Sequence, residues 1–156
     1  MSSVEEKLVL IREHVRLESE HDLEGLLDGM TEDAFTDVLC APPRHVGKSG
    51  VADRYRGQWG GFPDFTVRIR RVVAVSDKYA VSEHEWSGTH LGVFLGIPPT
   101  GKRVKVKTAV VWEFKGDKIK GETIYYDLAT VQRKMGLNRG TRRTITSSTA
   151  SRGQGA

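Results

Sequence analysis

The 156-residue sequence holds one cysteine, Cys40. A single thiol excludes an intrachain disulfide and any cysteine-built metal cluster. Cys40 is expected to be a buried structural thiol rather than a nucleophile. Long hydrophobic runs are missing as well. The start, Met1 to Lys7, leans acidic, and the apolar run after it stops at Leu8 to Ile11. That is too short for a signal-peptide core or a membrane span, so a soluble, cytoplasmic protein without membrane association is expected. Four motif classes are absent: GxGxxG, the P-loop, G-x-S-x-G and HExxH. The fingerprints of dinucleotide binding, nucleoside triphosphate binding, serine hydrolases of the nucleophile-elbow type and zinc peptidases are therefore missing.

Acid is missing from one end. Residues 1–138 carry 20 Lys and Arg against 20 Asp and Glu, whereas residues 139–156 carry Arg139, Arg142, Arg143 and Arg152 and no acid. The formal net charge of +4 thus belongs to the last eighteen residues. This segment is rich in Gly, Ser and Thr, has little to bury, and is expected to be a disordered tail. A nucleic-acid-binding domain normally shows a basic patch on its folded body, so no nucleic-acid partner is expected; a weak polyanion contact through the tail is the residual alternative. The length suits one domain, placed at residues 1–138.

The order of elements follows from periodicity. Val4, Leu8, Ile11 and Val15 repeat at helical spacing. Asp22 is placed to cap a second helix from Leu23 to Met30. Ala34 to Cys40 suggests a short strand stopped by Pro42 and Pro43. Gly47 to Trp59 reads as a third helix. From Phe65 the period becomes two, giving strands at Phe65 to Val72, Tyr79 to His90, Val104 to Phe114 and Lys118 to Tyr126. Leu91 to Lys102 is a loop, and Leu128 to Met135 a closing helix. Helices first and antiparallel strands after them argue for an α+β fold. A curved sheet with helices on one side leaves a concave face, the default place for a ligand.

Chemistry-bearing residues cluster on two strands. Period two puts His84, Trp86 and His90 on one face, which suits a pocket for a flat, oxygen-rich molecule; an ordinary sheet surface is the competing reading. His84 and His90 are six residues apart, about 20 Å along a strand, so they cannot share one metal ion. No metal site is expected. On the last strand Asp127 shares parity with Tyr125. Two readings stand side by side: a general acid/base, or the N-cap of the helix from Leu128.

The stretch Gly88-Thr89-His90-Leu91-Gly92-Val93-Phe94-Leu95-Gly96-Ile97-Pro98-Pro99-Thr100-Gly101-Lys102-Arg103-Val104 closely resembles the central signature of the SnoaL-like polyketide cyclases, the ester cyclase group of the nuclear transport factor 2-like superfamily. Gly47 to Phe62, Phe62-Pro63-Asp64-Phe65, Gly116-Asp117-Lys118-Ile119, Tyr125-Tyr126-Asp127 and Gly136-Leu137 fit in order, so the resemblance spans roughly residues 5–137. It implies a cone-shaped α+β barrel, a strongly curved antiparallel sheet around a pocket closed by the N-terminal helices. It also implies intramolecular aldol ring closure, or a related isomerisation, on a hydrophobic, oxygen-rich small molecule, without metal or cofactor. By the same resemblance Asp127 is the expected acid/base and His90 its pocket histidine. His84 and Tyr126 are expected to contact the substrate oxygen, with Trp59, Phe62, Trp86 and Phe94 as apolar walls. A non-catalytic binding or dimerisation module of the same fold is the rival. Related folds pair through the convex sheet face, and the Trp112 and Phe114 face of the long strand suggests a homodimer or higher homo-oligomer here.

Overall fold

The computed structural model describes residues 3–137. The tail expectation, at residues 139–156, lies outside the described residues. Helix α1 (Ser3–Glu20) has Glu5 and Glu6 in its first turn, where the helix dipole favours acid. Asp22 caps α2 (Leu23–Asp28), its side chain accepting from the Gly25 N–H. Strand β1 (Met30–Val38) begins four residues earlier than the alternation suggests. The exposed pair Glu32 and Asp33 interrupts that alternation, while fully buried Met30 and Ala34 anchor the strand on either side of it. After the short β2 (His45–Val46), α3 runs Gly47–Gly61. Strands β3 (Thr66–Val75), β4 (Tyr79–Thr89), β5 (Arg103–Lys115) and β6 (Lys118–Tyr125) follow, then α4 (Leu128–Lys134).

The six strands make one curved sheet in the order β2-β1-β6-β5-β4-β3. It is open at β2 and β3 rather than closed into a barrel. One pair departs from the expected antiparallel arrangement: β1 runs parallel to β6, with Phe35 opposite Gly121. A Cβ on Gly121 would lie 2.2 Å from the Phe35 ring, so this close crossing requires glycine.

Helices α1 and α3 cover the concave face. Ile11, Val15, Leu26, Val51 and Tyr55 pack there against Val110, Trp112 and Ile119. A second core, at the other end of β4 and β5, gathers Phe62, Phe65, Trp86, Val104 and Val106 beneath Val131 and Met135 of α4. β6 ends opposite Ala109, and α4 packs along the stretch of β5 beyond that point. Trp112 is 0% and Phe114 8% exposed, so both are used up in the chain's own core and no longer argue for a partner subunit.

Candidate functional site

Polar side chains interrupt the apolar stripe between the helices and the sheet. Lys7, Ile11, His14 and Glu18 occupy successive turns on the inward face of α1. Tyr55 comes from α3, and Glu122 from the concave parity of β6 that it shares with Ile124 and Tyr126. Tyr55 donates its hydroxyl hydrogen to Glu122 Oε2 at 2.9 Å. Its oxygen then accepts from His14 Nε2 at 2.7 Å, and the same nitrogen stands 3.3 Å from Glu122 Oε1. Burial alone would push Glu122 up, but the facing His14 charge and the Tyr55 hydrogen bond hold it well below the ordinary range. Burial likewise opposes charge on His14, and Glu122 overrides it, so His14 is raised. Together they form a buried ion pair bridged by a tyrosine.

Beside this triad lies a second carboxylate in the opposite condition. Glu18 accepts from Gln58 Nε2 at 2.9 Å and stands 3.5 Å from Arg54 Nη1. Its pKa is raised, first by burial and further by the neighbouring Glu122 charge, although Arg54 opposes the shift. Arg54 lies over the Tyr55 ring at 4.7 Å. Its Nη1 is buried and makes no hydrogen bond among the described residues.

Glu18, Arg54, Gln58, His84, Glu122 and Tyr126 all line one inner cavity of about 30 Å³. Phe65, Val67, Trp86, Phe94, Thr108, Val110 and Ile124 complete its walls. That volume admits a water-sized group rather than a ring. A wider mouth of about 220 Å³, lined by Val38, Ala41, His45, Val93 and Leu95, adjoins it across Arg54, Gln58, Phe94 and Tyr126. His84 is 3% exposed, and burial drops its pKa to about 4, so its imidazole is neutral near pH 7.

The expected site residues divide accordingly. His84, Trp86, Phe94 and Tyr126 meet at the inner cavity. Trp59 stands behind the wall, stacked between His21 at 4.7 Å and Tyr55 at 5.4 Å. Phe62 is buried in the second core, edge-on to Trp86 and Phe94. His90 is 0% exposed beside Phe62, and its Nδ1 pairs with Thr100 Oγ1 at 3.0 Å. The backbone of His90 holds the loop through Lys102 O and the Gly101 N–H. It braces the loop and does not line the cavity.

Asp127, the expected acid/base, lies apart from His90 and from the inner cavity. Asp127 is exposed and N-caps α4, taking the Ala129 N–H at 3.0 Å and the Thr130 hydroxyl at 2.6 Å. The Thr130 bond lowers its pKa, the reverse of what a base working near neutrality needs. It shares an outer groove with Glu85, Lys105, Lys107 and Lys134. The physical reason is parity: Glu122, Ile124 and Tyr126 face inward, so the chain leaves β6 with Tyr125 and Asp127 outside. His14, Glu18, Arg54, Tyr55, Gln58 and Glu122 were not singled out from the sequence. The signal for two of them was present, because His14 and Glu18 sit at i+3 and i+7 from Ile11 on its own helical stripe.

A family model described as SnoaL-like polyketide cyclase matches residues 8–135. The chain belongs to the SnoaL-like polyketide cyclase family. A search of curated proteins finds no match. Among solved structures, this SnoaL-like chain is similar to AclR, a candidate hydroxylase from Streptomyces galilaeus. The identity is 21%, the TM-score 0.72, and the match covers 86% of this chain and 98% of AclR. It is also similar to IdmH, a candidate polyketide cyclase from Streptomyces antibioticus, at 20% identity and TM-score 0.69, over 82% of this chain and 96% of IdmH. A protein with a ketosteroid isomerase-like fold from Catenulispora acidiphila matches at 14% identity and TM-score 0.72, over 83% of this chain and 93% of that one. At these identities the likeness establishes the fold. Among the described residues, no helix is long and apolar enough to cross a membrane. No group of three or more His, Cys, Asp or Glu among them is arranged to hold a metal ion.

Proposed function

We propose that this SnoaL-like protein is an enzyme of proton transfer next to a carbonyl, with Glu18 as the acid/base. The observation that carries the reading is one cavity wall holding Glu18, raised by burial, and Arg54, whose buried Nη1 lacks a hydrogen-bond partner among the described residues. Two carboxylates whose surroundings drive their pKa values apart divide the labour of an acid/base site. Glu122 stays anionic and holds His14 and Tyr55. Glu18 exchanges a proton.

In the forward step the Glu18 carboxylate takes a proton from the carbon beside the carbonyl. The electron pair of that C–H bond moves onto the carbonyl oxygen, and Arg54 stabilises the resulting enolate. The proton then returns from Glu18 to a different carbon of the extended enolate, giving isomerisation; alternatively the enolate carbon attacks a second carbonyl of the same molecule, whose π pair moves onto its oxygen and takes the proton from Glu18, giving an aldol ring closure. The volumes fit a ligand with a small polar head: only its carbonyl group enters the inner cavity, and its hydrophobic body fills the mouth.

The test is proton exchange with deuterated water on a panel of aromatic β-keto esters. Glu18→Gln is expected to lower the exchange rate at least ~100-fold, the usual scale for loss of a general base. Unaltered exchange removes Glu18 from the mechanism. The rival reading, a non-catalytic carrier, requires the wild type to bind members of the panel without exchanging their protons.

A further inference from the structure

His84 lines the inner cavity, and its Nε2 is already engaged. Ser82 Oγ is 2.7 Å from His84 Nε2 and 2.7 Å from Trp112 Nε1. Ser82 and Trp112 are 0% exposed and His84 is 3% exposed, so water does not compete for these bonds. The proton inventory of the three groups has one arrangement that satisfies all of them. An indole nitrogen only donates, so Ser82 Oγ accepts from Trp112. The serine hydroxyl keeps one hydrogen, and among the described residues His84 Nε2 is its only hydrogen-bond partner besides Trp112. With that hydrogen donated, Nε2 is the acceptor and the ring proton sits on Nδ1.

We propose that the Trp112–Ser82 pair fixes His84 in the Nδ1–H tautomer, making it a neutral hydrogen-bond donor for the oxygen of a carbonyl or enolate ligand in the inner cavity. Trp112 and Ser82 are positioning residues, and His84 is the residue that touches the ligand. The assignment rests on the reading of the cavity as a carbonyl site and adds a second donor to Arg54. The two donors differ in kind. Arg54 brings a full charge, whereas a neutral imidazole polarises the oxygen without competing for the proton that Glu18 must carry. Burial keeps the His84 ring uncharged, and the neighbouring His14 adds to that although the Glu122 charge opposes it.

The tautomer is read directly from the ring nitrogens by long-range proton–nitrogen NMR at pH 7 on the full chain. Protonated Nδ1 and bare Nε2 on His84 are expected. An Nε2–H tautomer, or an imidazolium, overturns the proposal and leaves the Glu18 reading standing, because that reading is tested on Glu18. Ser82→Ala removes the hydroxyl and is expected to move His84 to a majority of Nε2–H, while Ser82→Thr restores the wild-type pattern. If Ser82→Ala does not fold, the wild-type spectrum and Ser82→Thr still decide. In the exchange assay with aromatic β-keto esters, Ser82→Ala is expected to lower kcat about 10- to 100-fold with KM within about threefold. A flipped tautomer with unchanged kcat also overturns the proposal.

Discussion

Glu122 and Asp127 are five residues apart and chemically alike, yet their surroundings give them different work. Glu122 is 2% exposed and paired with His14 and Tyr55. Replacing it with glutamine leaves His14 buried without its counter-charge, a change that costs about 3–5 kcal/mol. The pH dependence has a definite sign. Glu122 has a folded pKa below its ordinary 4.5, so its contribution is present above that value and is lost as pH falls through the folded one. His14 is raised from 6.5, so its contribution is present below that value and is lost as pH rises through the folded one. The stability gap between wild type and Glu122→Gln is therefore expected to be widest between about pH 4.5 and 6.5. Denaturant unfolding across pH measures it; a gap that does not vary with pH would contradict the ion pair. Asp127→Ala, by contrast, is expected to weaken α4 slightly and leave turnover within about twofold, since its carboxylate faces outward. The sequence carried both readings of Asp127, and only the side of the sheet on which β6 buries its even residues separates them.

At the scale of elements, the loop between β4 and β5 depends on one close approach. The N–H groups of Leu91 and Gly92 both donate to Gly61 O at the end of α3, at 3.0 and 3.1 Å. A Cβ on Gly92 would lie 2.0 Å from Gly60 O. Gly92→Ala therefore forces the loop away from α3 and is expected to cost about 1–3 kcal/mol. Since Val93, Phe94 and Leu95 line the mouth, the variant should also become sensitive to proteolysis within 91–100. Unchanged melting and proteolysis would show that the loop is not held there. Most elements were legible in the sequence, because the periods of 3.6 and 2 are local. The parallel pairing of β1 with β6 was not, since the register depends on Phe35 meeting Gly121 across 86 positions of chain. The polar stripe of α1 was legible in principle. His14 and Glu18 look like ordinary surface residues of a charged helix until Tyr55 and Glu122 arrive from elsewhere.

For the whole molecule, the sheet's curvature and the two covering helices concentrate buried charge at one place. His14 and Arg54 face Glu18 and Glu122 inside a chain whose residues 1–138 are formally neutral. The family and the curved sheet could be read from the Gly88 to Val104 signature, whereas the working carboxylate could not, because it sits on the first helix, far from that signature. The claim that organises the site is that Glu18 ionises late. Carbon-detected NMR titration of the Glu and Asp side-chain carboxyls measures this directly. A Glu18 midpoint above its ordinary 4.5, together with an Asp127 midpoint below 3.8, is the expected result. A Glu18 midpoint at or below 4.5 would contradict it.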